Sequence, residues 1–381
     1  MSNPLNILHV VPKLSTWGGI GNQLLLILKH YPRSEFSPIV CSLRDKGVIG
    51  QEIENLGIEV VCLNRDFNRG FLWTVVRELQ SLIKQRNIQI IRTHEYRANL
   101  HGRIAALLSR VPCIVASVHN VYNIRDKKLN RRILNKYLGN FTDKVVAVSE
   151  AVKKEILRYD RVTEKNLAVI YNGIDSKRFT SMNTRSIRSE FHIAPSVPIV
   201  GTIGRFFPQK GQKYLLDAVA KLKNKLPHIV VLMIGDGPLR NELENHAKTL
   251  GIQNNVIFTG IRRDIPALLS AMDVFVFPSL WEGFGNALIE AMAAGRPIIA
   301  TGIPTVKEIM NSEKLGIIVP PANSEAIAES LKSLLFNKTF AKQLGESAKE
   351  RAFSSFTIDN TVHRYITLYK SILEKKHVSL S

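Results

Sequence analysis

The sequence predicts an α/β protein built from two Rossmann-like domains, each a doubly wound parallel sheet, facing a central cleft. Three observations carry that prediction. Short apolar runs alternate with amphipathic stretches of helical period along the chain, and strands joined by crossover helices form parallel sheets. At 381 residues the chain exceeds an ordinary single domain. The alternating pattern also runs through twice, on either side of the polar stretch Asp175–Ser189. The expected division is residues 1–184, then 185–358, with a final helical segment at 359–381.

In the first half the strand-like runs are Asn6–Val11, Ser37–Ser42, Glu59–Leu63, Gln89–Thr93, Cys113–Val118, Lys144–Val148 and Leu167–Ile170. Their β-branched, continuously apolar character suits strands buried on both faces. Helical runs between them are Ile20–His30, Gly50–Asn55, Leu72–Gln85, Leu100–Leu108 and Ser149–Arg158. The second half repeats the scheme. Strands are expected at Pro198–Gly204, Ile229–Gly235, Asn255–Thr259, Asp273–Pro278, Ile298–Ala300 and Gly316–Val319. Helices are expected at Tyr214–Leu226, Leu239–Leu250, Ile265–Ala271, Ala287–Ala294, Ser324–Phe336 and Asp359–Lys375. In such sheets ligands sit beyond the C-terminal strand ends.

Composition narrows the function classes. A hydrophobic content of 45% supports packed cores rather than disorder. No apolar run approaches the roughly 18 residues of a membrane span. The opening Met1–Pro12 reads as a first strand rather than a secretory leader, since it lacks a basic start. Cys41, Cys62 and Cys113 lie in or beside strand-like runs without metal-binding spacing and read as buried thiols of a reducing compartment. The net charge is +20, with the larger excess in the first half, which points to an anionic partner. No RRM-like, zinc-finger or helix-turn-helix signal makes that partner nucleic acid. No Asp-x-Asp, P-loop lysine motif or G-x-S-x-G elbow occurs either.

Five segments and one further turn carry candidate chemistry. The first runs from Pro278 to Pro297: a strand, then Glu282, Gly283, Phe284, Gly285, then a helix start at Asn286, Ala287 and Leu288, with Glu290 eight residues after Glu282. Free amides and the helix dipole make such a bend an anion site, while two framing acids suit a ligand with hydroxyls beside its phosphates. In the second, Gly204–Gly211, a strand ends in a loop with Arg205 and Lys210, a bidentate guanidinium and a point charge able to neutralise a diphosphate. The third, Trp17–Gln23, carries Gly18 and Gly19 before a helix but lacks the last glycine of a dinucleotide fingerprint.

In the fourth, His119 follows a buried strand, and His94 with Glu95 stand at the end of a neighbouring one; each fits either ligand contact or a structural hydrogen bond. Gly235-Asp236-Gly237 forms a further strand-to-helix turn, with Asp236 as a capping candidate. The fifth, Arg125–Lys136, is a basic run with apolar Leu129, Ile133 and Leu134 at helical spacing. It reads either as a helix lying on an anionic bilayer or as a solvated helix with its apolar side in the core.

Taken in order along the chain, Gly18-Gly19, His119, Gly204-Arg205, Lys210-Gly211, Gly235-Asp236-Gly237-Pro238, Glu282 and Glu290 resemble the family 4 retaining glycosyltransferases of GT-B fold. The likeness spans nearly the whole chain. It implies a hexosyltransferase using a nucleoside-diphosphate sugar, metal-independent and without cofactor, acting on a lipid-linked or saccharide acceptor in lipopolysaccharide, capsule or glycolipid synthesis. It further implies Arg205 and Lys210 on the diphosphate, backbone amides from Phe284 to Leu288 facing it, Glu290 on the ribose, Glu282 on the hexose and His119 near the anomeric centre. The last helix would cross back to the first domain. Gly19-Ile20-Gly21 departs from the family's commoner Gly-Gly-x-Glu. A cytoplasmic protein, peripheral on the inner membrane face, is the expected setting. The rival readings are a sugar-nucleotide epimerase, which would need no acceptor, and a non-catalytic nucleotide-sugar-binding partner.

Overall fold

The computed structural model describes residues 4–14, 19–66, 71–121, 129–180 and 187–377. Two compact units emerge, one of residues 1–173 with 358–381 and one of residues 174–357. In the first, β1 (Leu5–Val11), β2 (Phe36–Ser42), β3 (Glu59–Cys62), β4 (Ile90–His94), β5 (Cys113–Val118), β6 (Lys144–Ala147) and β7 (Leu167–Val169) form one sheet. Its order is β3-β2-β1-β4-β5-β6-β7 and every pairing is parallel. The second unit has β8 (Ile199–Ile203), β9 (Val230–Ile234), β10 (Val256–Gly260), β11 (Val274–Phe277), β12 (Ile298–Thr301) and β13 (Ile317–Val319). These pair in parallel in the order β10-β9-β8-β11-β12-β13.

Both orders change direction once, at β1/β4 and at β8/β11. Loops leaving neighbouring strands there run to opposite faces and open a crevice at the strand ends. The apolar runs explain the sheets: β11 is buried at every position, as a central parallel strand covered by helices on both faces must be. Cys41 and Cys113 are buried in the sheet and Cys62 is half-buried, all three as free thiols. Burial pushes the Cys41 thiol up to about 12, which leaves it unreactive.

Two helices lie outside the apolar pattern. Lys338–Ser355 buries Ala341, Leu344, Gly345, Ala348 and Ala352, a seam of small residues with little hydrophobic contrast. Gly345 sets the spacing, because a Cβ there would strike the carbonyl oxygen of Gly295. Pro304–Ile309 is a short helix opened by proline. The helix expected from Leu100 starts at Glu95, its first turn being too polar to register as apolar periodicity.

The chain passes between units at Gly173, ahead of the polar stretch, so Asp175–Thr180 belongs with the second unit. Ile174 bridges in parallel to Thr357, and its N–H donates to the Phe356 carbonyl at 2.8 Å. Gly173 is required where the chain passes back, since a Cβ would lie 2.5 Å from the Ile358 Cα. The helix Ile358–Lys375 then buries Val362, Tyr365, Tyr369, Ile372 and Leu373 in the same core as Ile7, Val11, Leu24 and Phe36. There Arg92 of β4 is 2% exposed. It donates from Nε to Ser117 Oγ at 2.9 Å, and its guanidinium lies 3.6 Å from the Tyr365 ring centroid. A buried cation needs such partners.

Replacing Tyr365 by leucine keeps apolar bulk but removes the ring from Arg92. A desolvated cation–π contact is worth about 2 kcal/mol. Denaturant unfolding followed by hydrogen exchange should show that loss in β1, β4 and β5, with the 174–357 unit unchanged; equal loss in both units would refute the assignment.

Candidate active site

The second unit's site is assembled where β8 and β11 end side by side. After β8, Gly204 donates its N–H to Ile234 O at 3.0 Å. Arg205 then turns outward, its guanidinium 4.5 Å from the Phe207 ring centroid. Among the described residues Arg205 forms no ion pair, so its fork of donors is available. The chain continues through a 3₁₀ turn, Pro208–Lys210, to Gly211 in the left-handed region at φ 60°. A Cβ at Gly211 would collide with the Pro278 carbonyl oxygen, so glycine lets the two loops touch. The Leu280 N–H donates to Gln209 O across that contact at 2.7 Å.

Glu282 is the centre of the clasp. Its carboxylate is 5% exposed and pairs with the Lys210 ammonium. Ser279 Oγ donates to Oε1 at 2.8 Å, Gln209 Nε2 to Oε2 at 3.1 Å, and Thr305 Oγ1 holds the Glu282 carbonyl at 2.8 Å. A buried carboxylate with three side-chain donors is satisfied and fixed. Lys210 is thereby aimed by Glu282 rather than free, a pairing not expected from the sequence. Ser279, Gln209 and Thr305 were also missed; they are ordinary loop residues whose only signal is proximity to Glu282.

Beyond Glu282 the chain passes Gly283 and Phe284, then turns into the helix Asn286–Ala293. Gly285 caps it without a side chain, and the first helical bond runs from Ile289 N–H to Gly285 O. The amides of Ala287 and Leu288 precede that bond and point out of the helix start. One turn on stands Glu290, half-buried. Burial raises its carboxyl to about 7, with the Arg178 charge pulling the other way. At neutral pH this acid is therefore poised between forms.

Gly235 and Gly237 serve loop packing. Their missing Cβ positions are occupied by the Gly204 carbonyl and, at 2.6 Å, by the Phe206 carbonyl oxygen. Asp236 does not cap the following helix, Arg240–Thr249, whose N-cap position is Leu239 and carries no side-chain cap. Instead it accepts from the Gly237 N–H at 2.7 Å and pairs with Arg240 at 3.2 Å.

In the first unit, His94 ends β4 and His119 follows β5. His94 Nδ1 lies 3.0 Å from His119 Nε2, and His94 Nε2 lies 3.4 Å from Nδ1 of His9 in the middle of β1. Burial, then the nearby Arg92 charge, holds all three imidazoles below their ordinary value, His119 at about 3. His94 is 1% exposed with both nitrogens facing other rings, an environment that suits the structural hydrogen bond of its two readings. His119 and Glu95 both border an open cavity that also has Tyr96, Asn120 and Asn135 in its wall. Glu95 takes a left-handed backbone at φ 66° and accepts from Asn120 Nδ2 at 3.3 Å. Such a conformation is costly for a non-glycine residue and recurs at functional sites. Gly19 opens the helix Gly19–His30; Gly18 lies outside the described residues. His9 and Arg92 are legible in hindsight as polar interruptions of otherwise apolar parallel strands.

Comparison with known proteins agrees with this geometry. Residues 17–178 match the model described as Glycosyltransferase Family 4, and residues 183–351 the one described as Glycosyl transferases group 1. A galactosyltransferase of Escherichia coli, UDP-Gal:alpha-D-GlcNAc-diphosphoundecaprenol alpha-1,3-galactosyltransferase, is 28% identical over 307 residues, covering 78% of this chain and 79% of its own. A glycosyltransferase structure from Rickettsia africae is 25% identical at a TM-score of 0.84, covering 98% and 99% of the two chains. The Anabaena HepE structure in complex with UDP and glucose is 23% identical at a TM-score of 0.85, covering 96% and 100%. The paired parallel sheets, the clasp at the ends of β8 and β11 and these matches place the chain in the family 4 glycosyltransferases, with the GT-B fold.

Proposed function

We propose that this glycosyltransferase moves a hexose from a nucleoside-diphosphate sugar to a hydroxyl acceptor, with retention and without a metal. The observation that carries the reading is the unpaired, outward-turned Arg205 beside the Lys210–Glu282 clasp, ahead of the Asn286–Ala293 helix start. Arg205 and Lys210 receive the diphosphate, and the Ala287 and Leu288 amides add donors. As the glycosidic bond breaks, negative charge grows on the leaving oxygen, and preorganised cations stabilise it most at that moment. Glu282 keeps Lys210 in place and accepts from hexose hydroxyls; Glu290 accepts from the ribose. His119 serves the transferred sugar and Glu95 the acceptor side. Departure of the diphosphate and attack of the acceptor occur on one face in this reading, the course that the family resemblance implies.

The acceptor we propose is lipid-linked, used at the inner face of the cytoplasmic membrane in cell-envelope synthesis. The E. coli relative's acceptor, by its name, carries a diphosphoundecaprenol. Lys13, Arg44 and Arg97, which follow the adjacent strands β1, β2 and β4, share a cavity at the β1/β4 reversal, chemistry suited to an acceptor phosphate. The helix Leu129–Asn140 turns Leu129, Ile133 and Tyr137 outward at 67, 60 and 63% exposure, and Phe141 continues the row. These apolar residues are therefore not in the core. Arg131 instead stacks on Tyr96 at 3.9 Å, and Arg132 donates to Tyr159 O at 2.9 Å. Exposed Lys136 remains toward an anionic surface; Arg125, Lys127 and Lys128 lie outside the described residues. No described helix is long and apolar enough to cross a membrane.

Arg205→Ala should lower kcat by about 10²–10³, and Arg205→Lys should recover only part, since a point charge cannot replace a fork. EDTA should leave wild-type turnover intact. Activity abolished by chelation and restored by magnesium, with Arg205→Ala near wild type, would overturn the metal-free mechanism.

Glu290 supplies a pH test. A hydroxyl pair donates to the ionised carboxylate, so binding requires loss of a proton from a group titrating near 7. Nucleotide-sugar affinity should rise about tenfold from about pH 6 to about pH 8, and Glu290→Gln should flatten the curve. Calorimetry with the intact nucleotide sugar avoids the titrating terminal phosphate of a free nucleoside diphosphate. A flat wild-type profile would remove Glu290 from the ribose site.

Replacing Leu129, Ile133 and Tyr137 together by serine should abolish sedimentation with anionic vesicles and leave hydrolysis of the sugar donor unchanged. Wild-type binding should weaken in salt. Equal binding to neutral and anionic vesicles would exclude the electrostatic part.

A further inference from the structure

His9, His94 and His119 form a row across three adjacent strands, β1, β4 and β5, with ring nitrogens 3.4 and 3.0 Å apart. Their exposures are 0, 1 and 9%. Each nitrogen-to-nitrogen contact needs one donor and one acceptor, and a neutral imidazole has one of each. The row therefore has only two hydrogen-bonding directions. In one, every proton sits on Nδ1; in the other, every proton sits on Nε2.

The two ends of the row differ. At the inner end His9 Nε2 is buried with no hydrogen-bond partner among the described residues. The charge that bears on all three rings is the donor-only guanidinium of Arg92. Arg92 stands opposite His9 in the β1/β4 register and, being donor-only, offers no acceptor to an N–H there, and buried orphan N–H groups are rarer than under-used acceptors. At the outer end His119 borders the open cavity. Its Nε2 is used by His94, which leaves Nδ1 as its remaining nitrogen.

We infer that His9 and His94 are positioning residues that fix the tautomer of His119, so that His119 meets the transferred sugar as an Nδ1–H donor. His9 Nδ1–H donates to His94 Nε2, His94 Nδ1–H donates to His119 Nε2, and His119 Nδ1–H faces an oxygen lone pair of the ligand. The role of His119 toward the sugar rests on the transferase reading; its tautomer does not. Reversing His119 alone is forbidden, because the whole row must reverse and bury an N–H on His9 Nε2 without an acceptor. The site thereby selects an acceptor atom, a hydroxyl or ring oxygen, at this point of the sugar.

The test uses the full chain with ¹⁵N-labelled histidine and long-range ¹⁵N–¹H correlation. His119 is assigned by the missing signal in His119→Gln. Wild type should show a protonated Nδ1 and a bare Nε2 on His119. A protonated Nε2, or a mixture of tautomers, overturns the proposal without touching the donor-site reading. His9→Glu puts an acceptor beside Arg92 at the inner end. It should draw a proton to His94 Nε2, reverse the row and lower kcat about tenfold, the loss of one hydrogen bond, with nucleoside-diphosphate affinity unchanged. His9→Phe, which removes the donor to His94 Nε2 and offers no acceptor, should leave His119 as a mixture of tautomers, with a smaller loss of kcat than His9→Glu. A His9→Glu enzyme with the wild-type His119 tautomer, or a His9→Phe enzyme whose His119 stays wholly in the wild-type tautomer, also overturns the proposal. Wild-type protein that shows the expected tautomer but transfers no sugar would count against the transferase reading instead.

Discussion

The carboxylate of Glu282 organises the second unit's chemistry. It is buried and charged, a state a protein interior tolerates only when donors surround it. Meeting that requirement draws Lys210, Gln209 and Ser279 together from two loops. The loops can meet because β8 and β11 are neighbours at the reversal of strand order and because Gly211 has no Cβ to hold Pro278 away. The geometry that aims Lys210 and leaves Arg205 open is thus a by-product of satisfying one acid. Removing either half of the clasp disturbs both, since the ammonium loses its anchor and the carboxylate loses a donor.

The first unit solves the opposite problem. Its centre holds a buried cation, Arg92, beneath Tyr365 and beside Ser117. A positive charge there keeps neighbouring imidazoles neutral and orients whatever dipoles face it. One unit fixes an anion among donors, and the other fixes a cation among rings and lone pairs. Both place these groups in or directly after strands, where the backbone cannot drift.

The strands were legible because parallel sheets covered on both faces demand apolar runs, and most boundaries fall within a residue or two of the expected ones. The helix Lys338–Ser355 was not, because alanine and glycine build its seam and give no contrast between faces. Glu282, Glu290, Arg205 and Lys210 could be singled out from their strand-end positions. The Lys210–Glu282 pairing could not, for the residues are 72 apart and strand order is not written in chain order. His94 stayed open for a related reason: position at a strand end suggests a ligand contact, while its environment depends on His9, an unmarked residue inside β1. The outward row on Leu129–Asn140 was half visible, since spacing reveals a face but not which way it points.

The passage of the chain out of the first unit and back has a consequence for biosynthesis. Residues 174–357 are contiguous and can close as soon as they leave the ribosome. The first unit cannot, because Val362, Tyr365 and Tyr369, which complete its core and shield Arg92, emerge only after the whole of the 174–357 unit. For as long as residues 174–357 are being made, the N-terminal sheet waits without the helix that completes its core. The N-terminal half is therefore the part most in need of chaperone cover, although it is made first.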